Sequence, residues 1–307
     1  MRVLFYGTPE FAVPSLRALV GEGFDVAAVV TRPDRPTGRH RSRASASAVK
    51  AAALAEELTV LQPERPSAPE FRDAAAALAP DVAVVVAYGH ILPQALLDVP
   101  RRGSLNVHAS LLPALRGAAP IQRALLEGCA ETGITIMQMD AGMDTGPILH
   151  QVATPVAPDE TGGELTARLA ELGAEALIEA LTLMEEAGLT PTPQDHARAT
   201  LAPKIRREEE RIDWTEAAEV VARKIRAFDP VPGAWGARAA GPLKLFGARV
   251  ADGRGEPGRV LQAGDQLCVA CGTGAVAAAE VQPAGRARMS VRAFVNGRGI
   301  APGERLA

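Results

Sequence analysis

Cysteine is scarce in this chain. It holds three, Cys129, Cys268 and Cys271, too few for a disulfide framework. Cys268-Val-Ala-Cys271 is a lone C-x-x-C inside an apolar, strand-like run. With no second pair and no βαβ context, neither zinc nor thioredoxin-type chemistry is expected of it, and it reads as structural. Long apolar runs are missing too: nothing approaches the ~20 residues that span a bilayer. The first strand-like run begins at residue 2 and leaves no room for a signal peptide. The expectation is a soluble, cytoplasmic monomer with no membrane partner. Metal-ligand groupings of the H-x-H or H-E-x-x-H kind are absent, so no metal is expected. The turn after the first strand has one glycine, Gly7, where a dinucleotide fingerprint needs three, which weakens a nicotinamide reading.

What is present is a chain of 307 residues with a formal net charge of −3, long enough for two domains. The charge is uneven. Residues 1–202 hold 16 basic and 24 acidic side chains, whereas residues 203–307 hold 17 and 12. An acidic first part and a basic last part suggest that the tail faces a polyanion.

Alternation of apolar runs and helix-like stretches sets the fold class. Strands are expected at 2–6, 26–30, near Val60, 81–87, 104–110, 135–139 and 148–152, with helices at 11–19, 49–58, 69–78, 118–127 and 162–187. The β-branched run Asp81–Ala87 reads as a central parallel strand covered on both faces. The N-terminal domain, 1–188, is thus α/β with a Rossmann-like, mostly parallel sheet. Residues 189–203, with Pro191, Pro193 and Pro203, read as a linker. In 204–307 a helical piece at 208–225 precedes short glycine-separated strands at 243–250, 258–261, 268–271 and 275–281, which suggests an OB-like β-barrel. Residues 31–48 carry five arginines and no apolar anchor, and read as a long basic loop of the kind that orders on RNA.

The chemistry gathers at 104–120. Leu105, Val107 and Ala109 alternate with Asn106, His108 and Ser110, so an amide and an imidazole point the same way from one strand. Loops after residues 6, 87, 108 and 139 are expected to meet at the carboxyl ends of the strands, where open α/β sheets bind ligands. The last of them, Asp140-Ala-Gly-Met-Asp144, brings a carboxylate to partner His108. Ser110 lies outside any G-x-S-x-G elbow and has no evident base, which disfavours covalent acyl transfer. Amide, imidazole and carboxylate suit direct attack on a carbonyl through a tetrahedral intermediate, with the oxyanion held by hydrogen bonds.

Asn106-x-His108-x-Ser110-Leu-Leu-Pro113 followed by Arg116-Gly-Ala-Ala-Pro-Ile121 resembles the core of the folate-dependent formyltransferases. Gly7-Thr-Pro-Glu-Phe-Ala12, Glu131–Asp140, Arg211-Ile-Asp-Trp214, Ile225-Arg-Ala-Phe-x-Pro-x-Pro232 and Gln282-Pro-Ala-Gly285 extend the resemblance from end to end, closest to the branch that acts on an aminoacylated initiator tRNA. The resemblance implies transfer of the formyl group of 10-formyltetrahydrofolate to the α-amine of methionyl-initiator-tRNA, in translation initiation. It implies Asn106 as oxyanion donor, His108 as donor or proton relay, and Asp144 as partner of His108 and the amine. Folate is implied along Ala87, Tyr88, Gly89, Ile91 and Leu92, along Ser110, Leu111, Leu112 and Pro113, and at Asp140. The arginine loop is implied to meet the acceptor end of the tRNA through Arg39, Arg41 and Arg43, although Ala-Ser-Ala-Ser follows where the family pattern has lysine and proline. A formyltransferase for a ribonucleotide or an amino sugar would keep the trio but has no use for a basic tail. An RNA-binding protein with an inactive enzyme domain would not keep it. A formyl-folate hydrolase would use the same residues on water.

Overall fold

The structure, a computed structural model, describes residues 1–37, 43–186 and 188–307. In chain order the elements are β1 (Arg2–Gly7), α1 (Val13–Gly21), β2 (Asp25–Val30), β3 (Arg35–Thr37), β4 (Arg43–Ser45), α2 (Ala48–Ala55), β5 (Val60–Leu61), α3 (Pro69–Ala77), β6 (Val82–Val86), α4 (Gln94–Leu97), β7 (Ser104–His108), α5 (Pro120–Glu127), β8 (Glu131–Gln138), β9 (Ile148–Pro155) and α6 (Gly162–Glu186). There follow α7 (Ala218–Ala227), β10 (Trp235–Gly236), β11 (Leu243–Ala251), β12 (Val260–Ala263), β13 (Leu267–Ala270), β14 (Ala275–Pro283), β15 (Met289–Ser290) and α8 (Val291–Asn296). The chain divides into two compact units, 1–117 with 132–154 and 167–201, and 118–131 with 155–166 and 202–307.

In the first unit seven strands form one sheet in the order β5-β2-β1-β6-β7-β8-β9. The valine run of β6 is buried at every residue. It lies between β1 and β7 and is parallel to both, because a strand with no polar side chain needs cover on both faces. β8 reverses the direction. It pairs antiparallel with β7, His108 opposite Thr135 and Leu105 opposite Gln138. The sheet is therefore parallel-dominated and mixed.

That reversal corrects one sequence expectation. The loop after β8 leaves beside the start of β7, not at its carboxyl end, and Met139 N–H donates to the Ser104 carbonyl there at 2.7 Å. The 140–147 loop has to run back along the sheet to reach His108. A second correction concerns the basic loop. Its flanks are paired, β3 with β4 antiparallel through Arg35–Ser45, Pro36–Ala44 and Thr37–Arg43, so backbone hydrogen bonds order them without an apolar anchor.

The second unit carries an antiparallel sheet, β10-β11-β14-β13-β12 with β15 on β14, a curled half-barrel of the kind expected. The helix expected over 208–225 is two pieces, a 3-10 turn at Arg207–Glu210 and α7. The turn is tied at Glu209, whose carboxylate is held down to about 2 by Arg123, 2.7 Å away. Cys271, on the turn after β13, is a buried thiol with its pKa pushed up to about 11 by desolvation, which makes it a poor nucleophile. Among the described residues no helix is long and apolar enough to cross a membrane, and no group of three His, Cys, Asp or Glu could hold a metal ion.

Candidate functional site

β7 positions the first two residues. Asn106 sits opposite Val85 of β6, itself opposite Tyr6 of β1, so the amide shares a face with that row. Val107 points the other way, against Gly173 of α6. His108 ends the strand on the Asn106 face, 5 % exposed; Asn106 is half-buried. The alternation read from the sequence thus places both side chains on one face at the strand's carboxyl end.

Beyond β7 the chain is knotted around Thr135. The Thr135 hydroxyl donates to the Ser110 carbonyl at 2.6 Å and accepts from Leu112 N–H at 3.1 Å. Gln151 Nε2 donates to the Leu112 carbonyl at 2.8 Å and to Thr135 Oγ1 at 2.9 Å. Ser110 is fully buried and its own hydroxyl donates to the Ala114 carbonyl at 2.6 Å. A hydroxyl so committed holds the loop and is no nucleophile.

The imidazole is oriented by the loop it supports. Nε2 of His108 lies 3.1 Å from the Leu115 carbonyl, and Nδ1 lies 3.7 Å from Asp144 Oδ2. A carbonyl only accepts, so the network assigns the proton to Nε2 and leaves Nδ1 facing the carboxylate and the open side. At 3.7 Å the carboxylate stands beside Nδ1 without a hydrogen bond to it. Its own bond is to Gly117 N–H, which donates to Oδ2 at 2.8 Å. Asp144 reaches this place with φ +54°, a left-handed backbone that aspartate tolerates better than most residues. At the foot of the same loop Gly146 lies against the Gln138 carbonyl, which a Cβ would strike.

A strap of chain from 192 to 201 fixes both loops, and the sequence reading assigned it no role in the site. Gln194, 6 % exposed, donates through Nε2 to the carbonyls of Asp144 at 3.0 Å and Gly146 at 2.6 Å. Its Oε1 accepts from Arg116 Nε at 3.1 Å and Nη2 at 2.6 Å. Thr200 Oγ1 accepts from Leu115 N–H at 2.9 Å, and its carbonyl accepts from Arg116 N–H, also at 2.9 Å. One carboxamide therefore ties the Asp144 loop to the Leu115–Arg116 loop that orients His108. Gln194→Ala leaves these buried groups unpaired and is expected to cost about 1–3 kcal/mol of stability, with a fall in kcat. Denaturant unfolding checks the first and steady-state turnover the second.

The remaining candidates separate by burial. The Tyr88 ring is core, edge-on to Tyr6 at 5.4 Å, and burial pushes its hydroxyl up to about 12. Leu92 and Leu112 are buried as well. Ala87 and Gly89 are exposed, with φ +47° and +82°, and Ile91 is 94 % exposed. Leu111 and Pro113 are half-buried, and exposed Asp140 accepts through Oδ1 from Gly142 N–H at 3.0 Å and Thr145 Oγ1 at 2.7 Å. Arg39 and Arg41 lie outside the described residues, and Arg43 stands on β4.

Comparison with known proteins gives consistent matches. The formyl transferase family model matches residues 1–181, and the model of the formyl transferase C-terminal domain matches 204–299. The chain is 51 % identical to methionyl-tRNA formyltransferase of Thiobacillus denitrificans over 311 residues, covering 100 % of this chain and 99 % of that one. Among solved structures, HypX from Aquifex aeolicus in complex with tetrahydrofolic acid is similar with a TM-score of 0.67 at 22 % identity, covering 97 % of this chain and 47 % of that one. Methionyl-tRNA formyltransferase from Clostridium thermocellum is similar with a TM-score of 0.58 at 14 % identity, covering 83 % and 95 %. At these identities the two structures speak for the fold alone.

Proposed function

Because the chain belongs to the formyl transferase family, with the methionyl-tRNA formyltransferases as full-length relatives, we propose that Asn106, His108 and Asp144 carry its reaction. The chain is an enzyme that formylates initiator methionyl-tRNA, and it takes its formyl group from a folate derivative. We take the donor to be 10-formyltetrahydrofolate, which supplies an activated formyl carbonyl, and 1–188 and 204–307 to be the catalytic and tRNA-binding parts.

The observation that carries the reading is the pairing of His108 Nδ1 with Asp144 beside the half-buried Asn106 amide. As the α-amine adds to the formyl carbon, negative charge develops on the formyl oxygen. The Asn106 N–H and a protonated Nδ1 are hydrogen-bond donors suited to that oxygen. The amine must lose a proton, which Asp144 is placed to accept; when the tetrahedral intermediate collapses, the bond from the formyl carbon to the folate nitrogen breaks, that nitrogen takes the proton of His108 Nδ1, and Asp144 restores it. Burial of the imidazole keeps water away and strengthens each of these interactions. The residues near this point suit a folate. Ala87 and Gly89 are exposed, and exposed Ile91 and Met143 offer apolar surface to a flat heterocycle. Those backbone contacts would run from Ala87 to Leu92, from Ser110 to Pro113 and at Asp140.

Labelled formyl transfer to charged initiator tRNA against charged elongator tRNA tests the activity; equal transfer to both, transfer to neither, or transfer to water alone overturns it. The arginine segment supplies a second test. Replacing Arg39, Arg41 and Arg43 together is expected to raise KM for tRNA and to lower the slope of log Kd against log salt by about 2–3, roughly one per lost phosphate contact. An unchanged slope removes these arginines from the RNA interface.

A further inference from the structure

The basic stretch 203–307 holds a cavity of about 360 Å³, lined by Arg207, Glu210, Trp235, Pro242, Lys244, Gln282 and the 283–285 turn. Its floor is a cross-strand row. Trp235 of β10 lies opposite Lys244 of β11, and Lys244 lies opposite Gln282 of β14. Register partners point to one face of a sheet, so an indole, an ammonium and a carboxamide stand side by side. All three are half-buried.

The row is rigidly mounted. Ile212 N–H donates to the Trp235 carbonyl at 2.9 Å, and the Arg211 guanidinium lies 5.9 Å from the Trp235 ring centre. Gln282 Nε2 donates to the Arg286 carbonyl at 3.0 Å, which fixes the carboxamide and closes the turn of the Gln282-Pro-Ala-Gly285 motif. The other tryptophan of the chain, Trp214, is 4 % exposed and serves the core. Trp235 is the indole that faces an opening.

A flat aromatic, two cations, a carboxamide and one carboxylate in a cavity this size match a single nucleotide. The ring stacks a base, Lys244 and Arg207 take the phosphate, and Gln282 and Glu210 accept or donate at the base edge. A base inside a duplex has both faces covered by its stacked neighbours, so the ligand must be unstacked. We propose that this cavity binds one unpaired nucleotide of the tRNA, at a subsite separate from the formyl-transfer residues. The inference rests on the reading that the substrate is a tRNA.

The test uses the full chain and deacylated initiator tRNA, with a fully paired RNA duplex of equal length as control. Binding of the tRNA is expected to quench tryptophan emission, and the duplex to leave it unchanged. Trp235→Ala is expected to weaken tRNA binding about tenfold, the scale of one lost base–aromatic stack, and Trp235→Phe to retain most of it. Should Trp235→Ala not fold, Arg207→Ala, at an exposed residue of the lining, is expected to weaken binding and lower the salt slope by about 1. The inference is overturned if the folded variants bind tRNA as the wild type does, or if the duplex quenches equally. A wild-type chain that neither binds nor formylates tRNA would overturn the substrate assignment instead, so the two failures are distinct.

Discussion

His108→Ala is expected to lower the rate constant of formyl transfer by about 10²–10⁴, the range that a positioned acid–base group supplies, while leaving tRNA affinity near its wild-type value. The imidazole is buried and held from behind by the Leu115 carbonyl at 3.1 Å, which leaves Nδ1 as the working nitrogen. Alanine removes one donor to the developing oxyanion and the proton relay. The loss should fall on kcat, because in the proposed mechanism the ring meets the reacting atoms and not the remote parts of either substrate. A single-turnover measurement at saturating tRNA and folate isolates the step. His108→Asn separates the two duties: an amide still donates but does not cycle a proton, so its activity should lie between alanine and wild type. Near-wild-type turnover of His108→Ala would remove the residue from the chemistry.

Much of this site could be read from short-range pattern. The period-2 alternation of 104–110 is enough to put Asn106 and His108 on one face, and the uninterrupted valines of β6 require a central, doubly covered strand. Long-range arrangement could not be read so. Nothing in the residues of 131–138 states whether that strand runs parallel or antiparallel to β7, because both ladders satisfy the same side chains. The sequence therefore places the start of the 140–147 loop at the wrong end of β7, though its carboxylate does lie beside His108. Gln194 was invisible for another reason. It sits in a proline-marked stretch whose local composition says linker, and its partners, Asp144 and Gly146, are 50 and 48 residues away. A lone glutamine carries no periodic signal, and its burial is the first evidence that it matters. Arg116 stands in the Arg116–Ile121 motif with no evident task in sequence; its guanidinium locks Gln194 in place.

Asp144→Asn provides the sharper test of how the trio divides its work. The carboxylate has two roles that a deletion would confound: it accepts from Gly117 N–H at 2.8 Å, and it faces His108 Nδ1 at 3.7 Å. Asparagine keeps the size, keeps an oxygen for Gly117 and tolerates φ +54° as aspartate does. The loop should therefore stay where it is, and the unfolding free energy should change by less than about 1 kcal/mol, as one neutral hydrogen bond replaces one charge-assisted bond. What goes is the negative charge beside the imidazole and the acceptor for the amine's proton. Transfer is expected to slow by about 10²–10⁴, as much as for His108→Ala. The double variant should be little slower than either single one, since residues that act as a unit are not additive. Asp144→Ala, by contrast, also strains the backbone and frees Gly117, and should lose stability along with rate. If Asp144→Asn turns over at the wild-type rate with an unchanged melting curve, the carboxylate is a brace for the Gly117 turn and His108 works without it. If the single losses multiply in the double variant, the two side chains act in separate steps.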